Sequence, residues 1–252
     1  MKTLNESVAN AMDSQDVEIV PFLPYILQDF WEIGTPAETV INIVKKHCKD
    51  YSNLRVLDLG CGKGAISVKL AVELKCNCYG IDGIAEFIET SKEKANEYGV
   101  GGLCRFETGD IRDKIKTLEK FDVIVLAGIG QVFGNYFETL TTLSKHLTPQ
   151  GIIIIDDAYI DDSSTFKHPA LLHHGELLKQ VEMSEMKLID EHTATPADAI
   201  TEFENLQKRC KELSAKHPEK AALFESYTKT QADEYDALEN ELVCSVMVFK
   251  KV

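Results

Sequence analysis

The sequence lacks any long apolar run and has few basic residues. No stretch of the 252 residues approaches the ~20 consecutive apolar residues that a membrane-spanning helix requires. The first 20 residues also lack the apolar centre of a secretory signal peptide. Lysine and arginine number 27 against 41 acidic residues, a formal net charge of −14. Because such a surface repels phosphate, we expect a protein that avoids nucleic acid. Because a membrane span and a signal peptide are both missing, we expect a cytoplasmic location and no membrane partner.

Paired cysteine motifs are also missing. The seven cysteines are an odd number, and none of them forms a Cys-x-x-Cys or Cys/His spacing typical of zinc. A disulfide framework and a structural metal are therefore both disfavoured. The cysteines are interpreted as reduced, mostly buried thiols.

Short apolar runs alternate with helical segments through the middle of the chain. This alternation predicts an α/β fold, with a parallel sheet covered by helices on both faces. The length suits one large domain with additions. The runs predicted as strands are 55–59, 77–81, 103–107, 121–127 and 152–156, followed later by 186–191 and 242–250. Residues 147–151, Leu-Thr-Pro-Gln-Gly, are predicted as a turn that leads into the fifth strand.

Two helical additions flank this pattern. Residues 1–34 are predicted as a helical or mobile extension, and residues 35–252 as the main domain. Thr35, followed by Pro36 and then by Glu38, predicts a capped helix start. Apolar residues at helical spacing predict a helical hairpin over about 196–240, inserted before the last strand.

The first strand runs into a glycine turn, Asp58-Leu-Gly-Cys-Gly-Lys-Gly64. Such a turn lets the backbone approach a ligand closely, and the helix that follows adds unpaired N–H groups. Gly60, Gly62 and Ala65 also satisfy the dinucleotide fingerprint, so a nicotinamide cofactor remains an alternative at this point.

Acidic residues end the first three strands. Asp58 places a carboxylate where a phosphate would be repelled and an ammonium group welcomed. Asp82 is suited to accept hydrogen bonds from ribose hydroxyls, and Asp110 to accept one from an adenine amino group. Three such acids around one crevice favour a ligand with cationic and amino groups.

Five ordered motifs resemble the class I S-adenosylmethionine-dependent methyltransferases: 58–64, Asp82, Gly109-Asp110, 121–124 and 147–151. The resemblance implies a Rossmann-like, seven-stranded, mostly parallel sheet with an antiparallel last strand, and S-adenosylmethionine as cofactor. It implies that Ile84 and Ile111 flank the adenine and that Gly128 and Ile129 border the methionine moiety. The cofactor-binding residues expected on this basis are Asp58, Gly60, Cys61, Gly62, Gly64, Asp82, Gly83, Ile84, Asp110, Ile111 and Gly128.

The methyl acceptor is constrained mainly by absent motifs. Residues 126–133 lack the Asn/Asp-Pro-Pro-aromatic motif of methyltransferases that act on exocyclic nucleobase or glutamine nitrogens, and no Pro-Cys nucleophile is present. We therefore expect in-line methyl transfer to oxygen or nitrogen of a small molecule. Two alternatives stay open: a macromolecular acceptor such as tRNA or protein, and a non-catalytic S-adenosylmethionine-binding protein.

Candidates for a general base follow the fifth strand. Asp156-Asp157 partly resembles the metal-holding pair of catechol-type methyltransferases, but a third carboxylate is missing after the fourth strand, so no metal is expected. The catalytic candidates are Asp157, His168 and His173. One set of residues either closes over the site or belongs to ordinary packing: Tyr25, Trp31 and Glu32. A second set either covers the site as a lid or forms the hairpin core or a homodimer face: Phe203, Tyr227 and Tyr235.

Overall fold

The computed structural model describes residues 2–193 and 199–252. The strands in these residues are β1 (Arg55–Leu59), β2 (Asn77–Asp82), β3 (Cys104–Thr108), β4 (Phe121–Ala127), β5 (Leu147–Tyr159), β6 (Met186–Thr193) and β7 (Val243–Lys251). They form a seven-stranded sheet in the order β3-β2-β1-β4-β5-β7-β6. Strands β1 to β5 pair in parallel, whereas β7 runs antiparallel to β5 and β6. The predicted Rossmann-like sheet with an antiparallel last strand is confirmed.

Helices cover both faces of the sheet. They are α1 (Leu4–Ala11), α2 (Leu23–Ile26), α3 (Ala37–His47), α4 (Ala65–Leu74), α5 (Ala85–Glu97), α6 (Ile111–Lys114), α7 (Tyr136–Ser144), α8 (His174–Met183), α9 (Ala199–Lys216) and α10 (Ala221–Asn240). Short 3₁₀ turns lie at Val17–Phe22, Tyr51–Asn53, Ile115–Thr117 and Pro218–Lys220. In the described part of the chain, none of the helices has both the length and the apolarity to cross a bilayer.

Side-chain alternation along β1 assigns each residue to a face. Val56 packs in the core beneath α3, α4 and α5, whereas Leu57 packs in the core beneath α6, α7 and α8. The period of two returns Asp58 to the α4 face, beside Ser67. The carboxylate within the buried part of the strand is thus directed to the edge where β1 meets α4.

A third apolar core joins the N-terminal extension to the hairpin. Leu23 of α2 packs in one cluster with Leu213 of α9 and Phe224 of α10. Polar contacts reinforce this packing, because the Arg209 guanidinium donates to both carboxylate oxygens of Asp29 at 2.6 and 2.7 Å. We call residues 2–34 and 199–240 together the helical cover. The predicted boundary after residue 34, between the extension and the main domain, stays a prediction.

Two local predictions are corrected by the structure. Helix α3 has Pro36 at its cap position, and the Thr35 hydroxyl donates instead to Asp156. The first free amide of α3, at Ala37, donates to the Glu32 carboxylate at 2.8 Å. The cap was misplaced because a carboxylate from outside the local motif competes for the helix end. Residues 194–198, which include the predicted start of the hairpin at about 196, lie outside the described residues.

The second correction concerns residues 147–151, which were predicted as a turn. They belong to β5, and the pairing with β4 jumps from Phe121 opposite Leu147 to Val123 opposite Ile152. The extra residues form a bulge within the strand. A bulge and a turn share the same Pro and Gly signals, so the sequence alone does not separate them.

Candidate active site

The glycine turn joins β1 to α4 and forms the floor of a cleft. Gly60 and Cys61 donate their N–H groups to the carbonyl of Ile81, at 2.8 and 3.1 Å, which fixes the turn against β2. Gly60 has φ +72°, and a Cβ there would meet Ile129 Cγ2 at 2.6 Å. Glycine is therefore required both by the backbone conformation and by the close approach of the 128–134 loop.

Gly64 has a different role from the other glycines of the turn. It precedes α4 with φ +75°, and a Cβ would lie 2.8 Å from the side chain of Ser91. It lies behind the turn and outside the lining of the cleft. Its position supports the turn by allowing α4 to pack closely against α5.

Asp58 lies at the bottom of the cleft and is almost completely buried, with 1% of its surface exposed. The Ser67 hydroxyl donates to its carboxylate at 2.7 Å. Burial raises the pKa of Asp58 to about 6, and the negative charge of Asp82 adds to that rise. Within the described residues this carboxylate has no ion-pair partner, so it is poised for a cationic ligand group.

Asp82 ends β2 and is held by backbone amides. Gly62 N donates to one carboxylate oxygen and Ile84 N to the other, both at 2.8 Å. Burial raises its pKa and these amide contacts lower it. Each oxygen keeps a free lone pair, so the side chain can accept two further hydrogen bonds.

Asp110 ends the loop after β3 and caps α6. It accepts from the Arg112 amide at 2.9 Å and from the Arg112 guanidinium at 2.9 and 2.6 Å. The hydrogen bonds from Arg112 lower the pKa of Asp110, which keeps it an ionised acceptor. The same guanidinium reaches the carbonyl of Thr3 at 3.2 Å. One arginine therefore connects the third strand-end acid to the start of α1.

The cleft between these elements has about 940 Å³ of empty space, including its open mouth. Except for Gly64, every residue expected to bind the cofactor lines it: Asp58, Gly60, Cys61, Gly62, Asp82, Gly83, Ile84, Asp110, Ile111 and Gly128. Helix α1 and the residue that follows it form the roof, through Leu4, Ser7, Val8, Ala11 and Met12. The sequence predicted only a helical or mobile extension for these residues, because their apolar stripe is weak.

Lys63 is a lining residue that sequence reasoning missed. Its amine donates to the carbonyls of Leu27 and Phe30 at 2.5 Å, away from the cleft, and burial lowers its pKa to about 8. Lys63 thus ties the glycine turn to the helical cover. The only sign in the sequence was a lysine inside the glycine turn. The direction of its side chain could not be predicted, because it depends on carbonyls more than 30 residues earlier in the chain.

The three candidates in the N-terminal extension, Tyr25, Trp31 and Glu32, lie in two different places. Trp31 and Glu32 line the cleft, and Trp31 Nε1 donates to the Lys63 carbonyl at 3.0 Å. Tyr25 instead faces the hairpin, where its hydroxyl donates to Glu212 at 2.7 Å. Trp31 and Glu32 therefore border the site, whereas Tyr25 belongs to the packing of the cover.

The catalytic candidates lie outside the cleft lining. His168 Nδ1 accepts from the amides of Ala170 and Leu171, and His173 Nδ1 lies 3.2 Å from the carbonyl of Asp161. Both histidines are held within the loop that follows β5. Asp157 accepts from the Tyr136 hydroxyl at 3.0 Å, and burial raises its pKa. The structure places Asp157 near the end of β5, and the charge of His168 lowers the pKa of Asp157 slightly against the effect of burial.

Asp156 lies next to Gly128, a residue of the cleft lining. Its backbone carbonyl accepts from Gly128 N at 3.1 Å, and its side chain accepts from Thr35, a lining residue. Burial raises its pKa to about 6. Residues 2–193 and 199–252 contain no cluster of three His, Cys, Asp or Glu side chains placed to hold a metal ion.

Comparison with known proteins identifies the family. Residues 50–240 match the family model described as a methyltransferase domain, and the chain belongs to that family. Among curated proteins, the ubiquinone biosynthesis O-methyltransferase of Rickettsia canadensis is 31% identical over 118 residues, 47% of this chain and 48% of that protein. The chain thus spans about half the length of the curated relatives it matches.

Solved structures share the whole fold. A methyltransferase from Geobacter sulfurreducens, crystallised with S-adenosyl-L-homocysteine, aligns with TM-score 0.78 at 20% identity, covering 92% of this chain and 98% of that one. Another, from Thiobacillus denitrificans in complex with the same molecule, aligns with TM-score 0.76 at 20% identity over 92% and 98%. Family and fold together confirm the expected class I S-adenosylmethionine-dependent methyltransferase domain.

Proposed function

We propose that this methyltransferase transfers the methyl group of S-adenosylmethionine to oxygen or nitrogen of a small molecule by in-line displacement. The observation that carries the proposal is the covered cleft. Three strand-end carboxylates and a glycine turn line one side, and α1 closes the other. A large acceptor would have to displace this roof, whereas a small one fits within the same enclosure.

The lining fits S-adenosylmethionine better than a dinucleotide. Lys63 is the cationic residue among the described lining residues. Its amine donates to the carbonyls of Leu27 and Phe30, so it does not offer a positive charge to a phosphate in the cleft. Asp58 instead provides a buried anion that suits the amino-acid ammonium. A Cβ at Gly128 would project into open space, so the methionine end of the cleft has room for a ligand.

Each lining residue then has a role toward the cofactor. Asp82 accepts from the ribose hydroxyls, Asp110 accepts from the adenine amino group, and Ile84 and Ile111 pack on the adenine faces. The glycine turn lies beside the methionine moiety, and Gly83 lets α1 close over the ribose. Gly64 acts indirectly by supporting the turn.

The cofactor, when bound, supplies an electrophilic methyl group on a sulfonium centre. The chain contributes by orienting the acceptor toward that methyl group and by excluding water with the helical cover. Asp156 and Asp157 lie beside Gly128, where a carboxylate can take a proton from an acceptor that arrives protonated. The histidines remain less favoured because both are held in the loop.

Charge and resemblance both favour a small acceptor. The net charge of −14 disfavours tRNA. The curated relatives are named for ubiquinone biosynthesis O-methylation, which supports an acceptor of low molecular weight. A homodimer stays a prediction, to be checked by sedimentation.

Calorimetric titration tests the proposal. We expect S-adenosylmethionine and S-adenosylhomocysteine to bind the purified protein and NAD not to bind. Asp82→Ala should weaken both adenosyl ligands at least tenfold, because two charge-assisted hydrogen bonds are lost. Asp113→Ala, an exposed acid in α6 that pairs with Lys116, is the matched control and should bind normally.

The outcomes separate the alternatives. No binding of either adenosyl ligand by the intact protein would refute the proposal. Tight binding without methyl transfer to any broad pool of small molecules would favour a non-catalytic binder. Transfer to tRNA or protein alone would favour the macromolecular alternative.

A further inference from the structure

The end of the cleft beside Gly128 has apolar walls. Ile129 follows Gly128 and approaches the glycine turn so closely that a Cβ added to Gly60 would meet it at 2.6 Å. Ile33 approaches the same turn from the segment before α3. Ala127, the last residue of β4, also lines this part of the cleft. Walls of this kind suit a ligand with an uncharged, apolar body.

The charged side chains of the described lining already have partners or a role toward the cofactor. They are Glu32, Asp58, Lys63, Asp82 and Asp110. The three aspartates are assigned to the cofactor in the proposed function, and Lys63 donates to carbonyls of the helical cover. Glu32 pairs with Lys69 through one oxygen and accepts from the Ala37 amide through the other. Once the cofactor is bound, the described lining therefore has no spare charge to balance a charged acceptor.

Thr35 supplies a hydroxyl at the Gly128 end of the cleft. It lines the cleft with only 2% of its surface exposed, and its hydroxyl donates to the Asp156 carboxylate. Asp156 is fixed at this end, because its backbone carbonyl accepts from Gly128 N at 3.1 Å. Ser7, the other hydroxyl residue of the described lining, belongs to α1, which approaches Gly83 instead.

The direction of this hydrogen bond decides what the Thr35 oxygen offers to a ligand. A hydroxyl group has one proton to donate and two lone pairs that accept. Asp156 engages the proton, and no group among residues 2–193 and 199–252 donates to the oxygen. Thr35 therefore has a lone pair available to a ligand in the cleft. The matching ligand group is one that donates a hydrogen bond.

Asp156 lies behind Thr35, outside the lining of the cleft. Burial raises its pKa to about 6, and the negative charge of Asp157 adds to that rise. Such a carboxylate is ionised near neutral pH and takes up a proton more readily than an exposed one. Thr35 and Asp156 together can thus remove a proton from a ligand without bringing a charge against the apolar walls.

From this arrangement we propose that the methyl acceptor is a hydroxyl group on an uncharged, apolar small molecule, and that Thr35 receives its proton and passes its own to Asp156. The inference rests on the proposed function and deepens it by naming the acceptor class. Thr35 contacts the acceptor, whereas Asp156 is a positioning residue that acts through Thr35. An amine would arrive as an ammonium ion, which apolar walls disfavour.

The acceptor hydroxyl first donates a hydrogen bond to Thr35 Oγ1. The acceptor oxygen then forms the new O–C bond while the S–C bond of the donor breaks, and the electron pair of that bond stays on sulfur, which becomes neutral. The acceptor proton moves to Thr35 Oγ1 as the Thr35 proton moves to Asp156. The chain gains one proton, which Asp156 releases to water after the methyl ether leaves.

Binding of a hydroxyl probe and of its methyl ether tests the role of Thr35. 2-Naphthol and 2-methoxynaphthalene are titrated by calorimetry into the protein saturated with S-adenosylhomocysteine. The two probes share an apolar body, but only 2-naphthol donates a hydrogen bond, so we expect it to bind about fivefold more tightly. Thr35→Val should abolish this preference by weakening 2-naphthol alone, and Thr35→Ser should keep it. Thr230→Val, at an exposed position of α10, is the matched control.

Transfer of labelled methyl from S-adenosylmethionine to 2-naphthol tests the role of Asp156. Asp156→Asn keeps an oxygen that accepts from Thr35 but no longer takes up a proton. We expect this variant to bind 2-naphthol about as tightly as the wild type and to lower kcat about a hundredfold. Thr35→Ser should retain transfer, whereas Thr35→Val should lose it.

Retained binding of S-adenosylhomocysteine shows that each variant is folded. Failure of 2-naphthol to bind the saturated wild type, equal binding of the two probes, or a preference that survives in Thr35→Val overturns the assignment. An unchanged kcat in Asp156→Asn overturns it as well. Absence of transfer to 2-naphthol also overturns it, but transfer to 2-naphthylamine would leave the proposed function standing. Failure of S-adenosylhomocysteine to bind the wild type overturns both.

Discussion

At the scale of single residues, the candidate site is a set of acids in different electrostatic surroundings. Asp58 is buried and has a pKa raised to about 6, whereas Asp110 is held ionised by Arg112. The two carboxylates therefore differ in function. Asp58 needs an incoming positive charge to remain ionised at low pH, but Asp110 carries its counter-charge within the chain.

This difference predicts a pH dependence for ligand binding. Because Asp58 has a raised pKa, it is ionised above about pH 6 and protonated below it, where the contact with the ligand ammonium is lost. We expect the Kd of S-adenosylhomocysteine to rise about tenfold between pH 7 and pH 5, measured by calorimetry. Asp58→Asn should bind more weakly at pH 7 and lose most of this dependence. A wild-type Kd that stays constant over the range would contradict the assignment.

The residues that line the site were predictable where they follow a strand end. The glycine turn, Asp82 and Asp110 stand at fixed points of the strand-to-helix pattern, and they line one cleft. Residues whose position depends on distant chain were not predictable. Lys63 contacts carbonyls of residues 27 and 30, and Thr35 contacts Asp156, 121 residues away.

At the scale of elements, α1 is the least predictable part of the site. Its sequence forms a helix with a capping box between Thr3 and Glu6, but nothing in its weak apolar stripe shows what it covers. The strands behaved differently, because continuous apolar runs leave few alternatives to a buried parallel sheet. The capped helix start at Thr35 was wrong because Glu32 reaches the helix end from outside the motif.

Arg112 connects α1 to the end of the cleft that Asp110 lines, and this connection is testable. Arg112→Ala removes the guanidinium contacts to Asp110 and to the Thr3 carbonyl. We expect faster amide hydrogen exchange in α1 and a Kd for S-adenosylhomocysteine that is about threefold to tenfold higher. The control is Arg105→Ala, which removes an exposed arginine that pairs with Glu107 and should change neither quantity. Unchanged exchange in α1 would show that Arg112 does not hold the roof.

At the scale of the whole molecule, the helical cover and the sheet are expected to unfold together. The cover has its own apolar core, but Ile84 and Phe87 at the start of α5 belong to that core as well. Segments that are distant in sequence therefore share buried surface with the main domain. Such sharing favours a single cooperative transition over independent unfolding of the cover.

Leu213→Ala tests this cooperativity. Leu213 of α9 is buried in the core of the helical cover. Its truncation should lower the free energy of unfolding by about 2–5 kcal/mol and the Tm by roughly 5–15 °C. Near-UV and far-UV circular dichroism should report the same shifted transition. Met183→Ala, at an exposed position on α8, should change the free energy of unfolding by less than about 0.5 kcal/mol. Two separate transitions in the Leu213 variant would show that the cover unfolds on its own.

The place of β7 in the sheet also affects the order in which the molecule is assembled during synthesis. Strands β1 to β4, which surround the glycine turn, are complete once residue 127 has left the ribosome. Strand β5 waits for β7, whose residues follow the whole hairpin, before its second edge is paired. The half of the cleft formed by the glycine turn, Asp82 and Asp110 can thus form early on the nascent chain, whereas the strand end that carries Asp156 and Asp157 is completed last. Until then β5 presents an apolar open edge, so folding intermediates of this chain are expected to depend on chaperones at that stage.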